Sequence, residues 1–107
     1  MALGEIEIDE FADRVAEGAT IVDVREPSEY ADAHVPGAEL VPLGTVSSSL
    51  ERFSADGTTY VICRSGVRSM HACEFAASVG YDVVNVAGGT IAWILSGRET
   101  ITGDSPT

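Results

Sequence analysis

The sequence predicts an α/β fold, a doubly wound, five-stranded, mainly parallel sheet with helices on both faces. Short segments rich in β-branched and apolar residues alternate with segments whose apolar residues recur at helical intervals, as in parallel sheets joined by helical crossovers. Two of the predicted strands, ATIVDV at 19–24 and TTYVI at 58–62, contain nearly unbroken apolar runs. Such runs are typical of strands that are covered on both faces. Neither an internal repeat nor a linker interrupts the alternation.

The length of 107 residues suits one domain with its own core and is too short for two. Hydrophobic residues make up 45% of the chain, and no run of eighteen apolar residues is present to span a membrane. The first residues lack the basic region and apolar stretch of a secretory signal. We therefore expect a single domain over residues 1–98, a polar and loose C-terminal tail over residues 99–107, and a cytoplasmic location.

The first elements are predicted to be scaffold. Residues 5–8 alternate polar and apolar side chains, as an edge strand does, and Asp9 offers an oxygen to cap the following helix. That helix ends at Gly18 and carries an apolar stripe of Phe11, Ala12, Val15 and Ala16.

Asp23 interrupts the apolar run of the strand at 19–24. A carboxylate near the carboxyl end of a central strand is costly unless it is paired, and in this topology the strand ends surround the ligand crevice. We expect Asp23 to lie near the site. A short helix begins at Pro27, and Glu29 within it could pair with Arg25. We interpret Asp23, Arg25 and Glu29 as ion-pairing groups that fix the loop, in preference to catalytic groups.

The two histidines are predicted to be structural or exposed. His34 precedes a turn formed by Pro36 and Gly37. It could act as a general base, but we expect it to make structural hydrogen bonds. His71 falls on the polar side of a later helix. No second ligand type clusters with either histidine, so the sequence supports no metal site, and we expect no cofactor.

The middle of the chain leads to a strand that ends at the site. Residues 39–42 are predicted to form a short strand, and a helix then follows with one face formed by Leu43, Val46 and Leu50. The strand at 58–62 comes next and ends directly before Cys63.

The functional prediction rests on a seven-residue stretch, CRSGVRS, formed by Cys63, Arg64, Ser65, Gly66, Val67, Arg68 and Ser69. A strand, a short loop and a helix N-terminus place several backbone N–H groups around one point, and the positive end of the helix dipole is directed at that point. The small residues Ser65 and Gly66 let the loop wrap tightly. These dipoles and the two arginine charges favour the thiolate form of Cys63. The sequence therefore predicts a nucleophilic cysteine in an anion-binding cradle.

The helix after this loop is predicted over residues 67–79, with an apolar face formed by Ala72, Phe75, Ala76 and Val79. We expect Cys73 to be a small buried residue in this helix, since a resolving thiol at that spacing would not reach the loop. Residues 81–86 form the last strand. Gly88 and Gly89 follow it, and their small size predicts close backbone approach at one wall of the Cys63 pocket. In the closing helix we expect Trp93 to lie in the core.

The CRSGVRS loop resembles the active-site loop of the rhodanese family, in which an arginine follows the cysteine by five positions, as Arg68 follows Cys63. Two further stretches resemble family signatures in the same order, IVDVREPSEYADAHVPGA at 21–38 and VAGGTIAWILSG at 86–97. The resemblance implies sulfur transfer by a single-domain sulfurtransferase. Cys63 would take the sulfane sulfur of a donor such as thiosulfate as a persulfide and pass it to cyanide, a small thiol or a partner protein.

The resemblance also implies roles for the loop residues. The backbone N–H groups of residues 64–69 would hold the persulfide, Arg64 would attract the anionic donor, and Arg68 would brace the loop. Two alternatives stay open. A cysteine phosphatase or arsenate reductase uses a similar cradle, but the phosphatase pattern has five residues between cysteine and arginine, and here there are four. A non-catalytic docking module is the other alternative, against which the presence of Cys63 argues.

The charge of the chain bears on its partners. The formal net charge is −11, with six arginines and no lysine, and this disfavours nucleic-acid binding. The acidic surface could receive a basic partner protein that brings or takes sulfur. Transfer to such a partner should slow as salt rises, because salt screens charge attraction.

Overall fold

The computed structural model describes residues 4–107, so the first three residues of the predicted domain lie outside this range. Its elements, in chain order, are β1 (Gly4–Ile6), α1 (Ile8–Ala16), β2 (Thr20–Asp23), α2 (Pro27–Asp32), β3 (Glu39–Leu40), two 3₁₀ helices (Leu43–Ser48 and Leu50–Arg52), β4 (Thr58–Ile62), α3 (Val67–Ser78), β5 (Asp82–Val86) and α4 (Gly89–Leu95). None of the helices in this range is long and apolar enough to cross a lipid bilayer.

The five strands found in residues 4–107 form one parallel sheet in the order β1-β5-β4-β2-β3. The chain runs outward from β2 to β3 on one side and from β4 to β5 on the other. The strand order therefore reverses between β2 and β4, and a crevice forms where their carboxyl ends meet. The predicted doubly wound parallel sheet is confirmed.

The core lies on both faces of this sheet. Adjacent residues of a strand point to opposite faces, and accordingly Val61 belongs to one buried cluster and Ile62 to the other. The first cluster packs under α3 and the 3₁₀ helices. The second packs under α1, α2 and α4, where Phe11 meets the ring of Trp93 edge to face at a centroid distance of 5.7 Å. Trp93 is a core residue, as expected.

Helix α3 is rotated relative to the predicted apolar face. Phe75 and Val79 are 39% and 50% exposed, so their predicted burial is wrong. The buried residues are Ser69, Ala72, Cys73 and Ala76. Their spacing of three and four also forms one helical face, and this rotation directs Ser69 at Cys63. Cys73 is buried as predicted, and burial raises the pKa of its thiol to about 12.

The N-terminal boundary differs from the prediction by two residues. The first strand ends at Ile6 and α1 already begins at Ile8, so Asp9 lies in the first turn of the helix and is not its cap. The earlier start places Ile8 against the second core cluster. The Asp9 carboxylate instead accepts a hydrogen bond from Arg98 at 3.1 Å.

The segment after β3 also departs from the prediction. The strand covers only Glu39–Leu40, and the helix that follows is two 3₁₀ segments. Side-chain hydroxyl groups here compete with backbone N–H groups for the main-chain carbonyls of a regular α-helix. Thr45 Oγ1 donates to the Pro42 carbonyl at 2.8 Å, and Ser48 Oγ donates to the Thr45 carbonyl at 3.1 Å. Val46 is nevertheless buried, with Leu43 and Leu50 packed against the same cluster, as expected.

The C-terminal segment, residues 99–107, is not loose, and that expectation is wrong. Ile101 and His34 exchange two backbone hydrogen bonds of 2.9 Å. The N–H groups of Gly37 and Gly103 donate to the carbonyls of Pro106 and Ala31 at 2.9 and 2.8 Å. The segment is polar in composition, but it forms backbone hydrogen bonds with α2 and the α2–β3 connection, including the buried His34, and composition does not reveal this.

Candidate active site

Cys63 follows β4 directly and lies at the reversal of strand order. The residue is 1% exposed. Its Sγ accepts a hydrogen bond from the Gly66 N–H at 3.1 Å, and the Ser69 hydroxyl oxygen lies 3.3 Å from it. The thiol is therefore held at the base of the loop by groups of the loop itself and of the first turn of α3.

The loop turns tightly at Gly66, which is the N-cap of α3. Its φ of +109° is in the left-handed region, where residues with a Cβ are strained. No side chain from residues 4–107 caps this helix, so its first N–H groups stay available to an anion, and the helix dipole adds positive potential there. The predicted cradle is built in this way from the main chain.

The ionisation of Cys63 reflects two opposing effects. Burial raises the pKa of its thiol. The Ser69 hydroxyl, followed by the backbone N–H groups of Ser69, Gly66 and Ser65, lowers it further than burial raises it, so the pKa of Cys63 lies below its ordinary value. Hydrogen bonds lead this effect. The sequence predicted the backbone contribution, together with the charges of Arg64 and Arg68, but not the Ser69 hydroxyl.

Asn85 is a residue of the site that sequence reasoning missed. It is 1% exposed on β5, and its Oδ1 accepts from the Ser69 hydroxyl at 2.5 Å. Its Nδ2 donates to the Gly66 carbonyl and to a Glu5 carboxylate oxygen, both at 3.2 Å. One buried amide thus fixes both Gly66 and Ser69. A polar residue inside the apolar strand at 81–86 was the signal that could have found it.

Gly88 and Gly89 bring the start of α4 against the loop. A Cβ on Gly89 would lie 2.6 Å from the carbonyl oxygens of both Cys63 and Arg64. The same carbonyl of Cys63 accepts from the Thr90 N–H at 2.9 Å and from the Thr90 hydroxyl at 3.0 Å. The absence of a side chain at Gly89 therefore lets two backbone segments pack directly and form one wall beside Cys63.

Asp23 and Arg25 form a buried ion pair. Arg25 Nη2 and Nε lie 2.8 and 3.1 Å from Asp23 Oδ2, and Nε also donates to Oδ1 at 3.0 Å. Arg25 further donates to the carbonyls of Glu29 and Ala33. The register partner of Asp23 on β4 is Ile62, the residue before Cys63. The pair thus fixes the α2 side of the crevice.

The predicted side-chain pair between Arg25 and Glu29 is wrong. Glu29 instead binds Arg68 with two hydrogen bonds of 2.7 and 2.8 Å. The Glu29 carboxylate also accepts from the Glu26 N–H at the start of α2. The hydrogen bond from Arg68 is the largest effect on the carboxyl and lowers the pKa of Glu29 to about 2.

His34 is fully buried and makes structural contacts. Its Nδ1 and Nε2 lie 2.7 and 2.8 Å from the carbonyl oxygens of Tyr30 and Ser105. Its ring stacks on that of Tyr30 at 3.6 Å between centroids. Both ring nitrogens are thus occupied by main-chain acceptors. His71 is exposed near Glu74. In residues 4–107 no group of three or more His, Cys, Asp or Glu side chains is arranged to hold a metal ion.

A pocket of about 320 Å³ opens beside the loop, between α2 and α4. Two free charges lie on its walls. Arg64 and Asp32 are exposed and form no ion pair with any residue from 4 to 107. The other lining residues include Arg25, Thr90, Ile91 and Ile94. Val67, which opens α3 at the rim of the loop, is 65% exposed.

A family model described as a rhodanese-like domain matches residues 7–96. The chain belongs to the rhodanese family. It is 34% identical over 102 residues to a sulfurtransferase of Allochromatium vinosum, covering 92% of this chain and 95% of that protein. It is 32% identical to the thiosulfate sulfurtransferase GlpE of Pseudomonas entomophila, covering 84% and 80%.

Solved structures agree with this assignment. A rhodanese-like domain protein from Staphylococcus aureus superposes with a TM-score of 0.80 at 36% identity, over 85% of this chain and 91% of that one. A rhodanese-related protein from Thermoplasma volcanium gives a TM-score of 0.87 at 27% identity, over 94% and 99%. The resemblance drawn from the three sequence stretches is thereby confirmed. The function supported by these relatives is that of a sulfurtransferase.

Proposed function

We propose that this rhodanese-family sulfurtransferase uses Cys63 as its nucleophile and thiosulfate, or a donor of similar charge, as its sulfur source. The main support is the arrangement of donors around the sulfur, where the Gly66 N–H lies 3.1 Å from Sγ at the uncapped N-terminus of α3. The lowered pKa of Cys63 increases the fraction of thiolate, which is the nucleophilic form. The relative named thiosulfate sulfurtransferase GlpE supports the choice of donor.

In the first half-reaction the Cys63 thiolate attacks the sulfane sulfur of thiosulfate. A bond forms between Sγ and this sulfur, the sulfur–sulfur bond of the donor breaks, and sulfite leaves with the electron pair. Cys63 then carries the outer sulfur as a persulfide anion. The total charge is unchanged, because a thiolate and a dianion become a persulfide anion and the sulfite dianion. The backbone N–H groups of the loop hold the negative outer sulfur.

In the second half-reaction a nucleophile such as cyanide or a thiolate attacks the outer sulfur. The bond from Sγ to that sulfur breaks, and its electron pair restores the Cys63 thiolate, which the Gly66 and Ser69 donors stabilise again. Arg64 is exposed at the mouth of the pocket and is placed to attract an anionic donor. Arg68 is engaged with Glu29, so its proposed role is to brace the loop.

The same ion pair argues against an oxyanion hydrolase. A cysteine phosphatase needs an arginine whose guanidinium is free to form a bidentate contact with the oxyanion of its substrate. Arg68 lies outside the loop, on the first turn of α3, and both of its terminal nitrogens face the Glu29 carboxylate. Phosphatase activity is therefore not proposed.

The site residues all fall within residues 1–98, and we propose that this segment carries the activity. A free thiolate at Cys63 requires a reducing compartment, for which we propose the cytoplasm. The net charge of −11 further favours a basic partner protein as donor or acceptor. Transfer between the two proteins should then slow as ionic strength rises, and a rate that is independent of salt would contradict a basic partner.

The test is the intact mass of the protein after treatment with thiosulfate. We expect a gain of one sulfur atom that reductant removes. The gain should be absent in Cys63→Ser and present in Cys73→Ala, which removes the other thiol, also buried. Persulfide on the Cys63→Ser protein, or its loss in Cys73→Ala while the protein stays folded, would overturn the assignment of the nucleophile.

A further inference from the structure

We infer that Asn85 is a positioning residue for sulfur transfer, which acts on Cys63 through the Ser69 hydroxyl. It draws this hydroxyl away from Cys63 when the Cys63 sulfur carries no charge, and it thereby favours the persulfide over the free thiolate. The inference rests on the proposed function, because it concerns the loaded state of the same cysteine.

The amide of Asn85 is fixed in one orientation. The residue is buried on β5, between β4 and β1. Its Nδ2 donates to the Gly66 carbonyl and to a Glu5 carboxylate oxygen, both at 3.2 Å. A carbonyl and an ionised carboxylate accept hydrogen bonds and cannot donate them, so a reversed amide would direct Oδ1 at two acceptors. Oδ1 therefore faces the Ser69 hydroxyl, at 2.5 Å.

The Ser69 hydroxyl has one proton and two acceptors within reach. One acceptor is Asn85 Oδ1, and the other is Cys63 Sγ at 3.3 Å. Among residues 4–107, Ser69 is the hydrogen-bond donor to Oδ1, and no other donor contacts that oxygen. A hydroxyl that turns toward sulfur thus leaves the buried Asn85 oxygen without a donor, which is unfavourable.

The charge on the sulfur determines which acceptor binds the hydroxyl. The thiolate is an anion, and hydrogen bonds to anions are stronger than neutral ones. Burial raises the pKa of Cys63, and the Ser69 hydroxyl is the largest of the contributions that lower it. In the persulfide the negative charge lies on the outer sulfur, and Sγ becomes a weak, neutral acceptor. The hydroxyl then returns to Asn85, so Asn85 opposes the thiolate and not the persulfide.

The loading step balances without a further reagent. The Cys63 thiolate bonds to the sulfane sulfur of thiosulfate, the sulfur–sulfur bond of the donor breaks, and sulfite leaves with the electron pair. The proton of Ser69 turns from Sγ to Asn85 Oδ1 and stays on its own oxygen. Removal of Oδ1 should therefore shift the loading equilibrium toward the free thiolate. It should also lower the pKa of Cys63, because the neutral thiol leaves the hydroxyl to Asn85 as the persulfide does.

The experiment uses Asn85→Leu, which has a similar shape and no acceptor, in a Cys73→Ala background. The rate of alkylation as a function of pH gives the ionisation constant of Cys63. Intact mass at a fixed ratio of thiosulfate to sulfite gives the ratio of loaded to free protein, at a pH where alkylation has reached its plateau. We expect the ionisation constant to rise and the loaded-to-free ratio to fall, each about fivefold, as for one neutral hydrogen bond.

A purely structural role predicts the opposite shift in acidity. Loss of the Asn85 amide would then only loosen Gly66, whose N–H binds Sγ, and the ionisation constant of Cys63 would fall. A fall in this constant would overturn the inference.

A double-mutant cycle shows whether Asn85 acts through Ser69. In a Ser69→Ala protein no hydroxyl is left to draw away, so Asn85→Leu should change either readout by less than about twofold. Equal effects of Asn85→Leu with and without the Ser69 hydroxyl would overturn the inference.

Two further variants test the acceptor oxygen itself. Asn85→Asp keeps an acceptor for Ser69 in a side chain of the same shape, and it decides the question if Asn85→Leu does not fold. It should not raise the ionisation constant and should load as the parent does. Loading that is lost as in Asn85→Leu would contradict a role for the oxygen.

The matched control is Thr59→Val, which removes a buried hydroxyl near the amino end of β4. That hydroxyl accepts from the Ser54 N–H at 2.8 Å. Both readouts should keep their parent values, and a shift as large as that of Asn85→Leu would contradict a specific role for Asn85.

The two readouts separate this inference from the proposed function. If thiosulfate forms no persulfide on the parent protein, the proposed donor fails, and a raised ionisation constant in Asn85→Leu would still support the coupling of Asn85 to Ser69. If the parent protein loads and Asn85→Leu matches it in both readouts, the proposed function stands and the role of Asn85 is overturned.

Discussion

The sulfur of Cys63 occupies a buried position that by itself disfavours a charge. Four hydrogen-bond contributions outweigh this burial, and the Ser69 hydroxyl is the largest of them. Ser69 has a single proton and two acceptors within reach, Cys63 Sγ at 3.3 Å and Asn85 Oδ1 at 2.5 Å. The thiol form satisfies the whole chain when the S–H donates to Ser69 and Ser69 donates to Asn85. The thiolate form requires the hydroxyl to turn toward sulfur.

Replacing Ser69 by alanine should raise the pKa of Cys63, because the largest stabilising donor of the thiolate is lost. We expect alkylation by iodoacetamide to slow about tenfold at a pH where the thiolate is the minor form, since hydrogen bonds to charged groups are worth about 1.5–3 kcal/mol. The rate at high pH should be unchanged. The measurement is the alkylation rate of Cys63 as a function of pH, in a Cys73→Ala background.

Ser78→Ala is the matched control for that substitution. Ser78 lies at the end of the same helix, and its hydroxyl donates to the Phe75 carbonyl far from the loop. The alkylation profile of this variant should coincide with that of the parent. An unshifted profile in Ser69→Ala would mean that the backbone N–H groups alone stabilise the thiolate.

At the residue scale the sequence predicted the position of Cys63 at the base of the cradle but not the side chains that support it. Cys63 was identifiable because strand, loop and helix signals converge on it. The role of Asn85 was not, because it depends on the register that places β5 beside β4, and register is a long-range property. For the same reason Glu29 was assigned to Arg25, its neighbour along the chain, when its partner Arg68 is 39 positions away.

At the element scale, the site is formed by α2 and α3 meeting across the reversal of strand order. The bidentate pair of Glu29 and Arg68 joins these two helices. The limits of the strand at 58–62 were predicted correctly, because a short run of apolar and β-branched residues favours a strand over other secondary structure. The rotation of α3 about its axis was not predicted correctly. Alanine, cysteine and serine side chains occupy its buried face, and the larger apolar side chains of Phe75 and Val79 are exposed to solvent. Close packing against the sheet requires small residues there, and hydrophobicity alone does not predict that.

Replacing Glu29 by glutamine should destabilise the protein by about 1 kcal/mol at neutral pH, because it leaves a partly exposed bidentate pair without its charge. The folded-state pKa of Glu29 is lowered from 4.5 to about 2, so its contribution is fully present above pH 4.5. It declines as pH falls from 4.5 toward 2 and is lost below pH 2, where the carboxyl is protonated in both states. Urea unfolding of both proteins from pH 7 to pH 2.5 should therefore show a difference that shrinks only below pH 4.5.

The Glu39→Gln variant provides the control for this pH dependence. Glu39 also pairs with an arginine, Arg52, at 2.9 Å, but both side chains are about half exposed. Such pairs contribute little, so at neutral pH the effect of this substitution should be smaller than that of Glu29→Gln. A difference for Glu29→Gln that persists unchanged at pH 2.5 would show that the carboxylate charge is not what stabilises the contact.

At the scale of the whole molecule, the C-terminal segment completes the fold although its composition suggests a tail. It lies against the connection between α2 and β3, and it supplies the Ser105 carbonyl to the buried His34 ring and the Glu99 carbonyl to the Trp93 indole N–H at 2.7 Å. Cys63 and the side chains that hold its sulfur stand elsewhere, on the loop after β4, on α3 and on β5. The C-terminal segment therefore contributes to stability, and the residues that hold the Cys63 sulfur belong to other parts of the chain.

Deletion of residues 99–107 should consequently lower stability but leave the site working. His34 and Trp93 each lose a main-chain acceptor, and an unsatisfied buried polar group costs about 1–3 kcal/mol, so we expect the free energy of unfolding to fall by about 2–4 kcal/mol. Trp93 is the single tryptophan of the chain and reports the transition by its fluorescence in urea.

Deletion of residues 106–107 alone is the control. Among the described hydrogen bonds it removes the acceptor of the exposed Gly37 N–H, and it should lower the free energy of unfolding by less than about 1 kcal/mol. Persulfide loading at Cys63 should persist in both truncated proteins under folding conditions. Equal stability of the two truncations would show that the hydrogen bonds to His34 and Trp93 contribute nothing, and loss of loading in a folded 1–98 segment would contradict the assignment of all site residues to it.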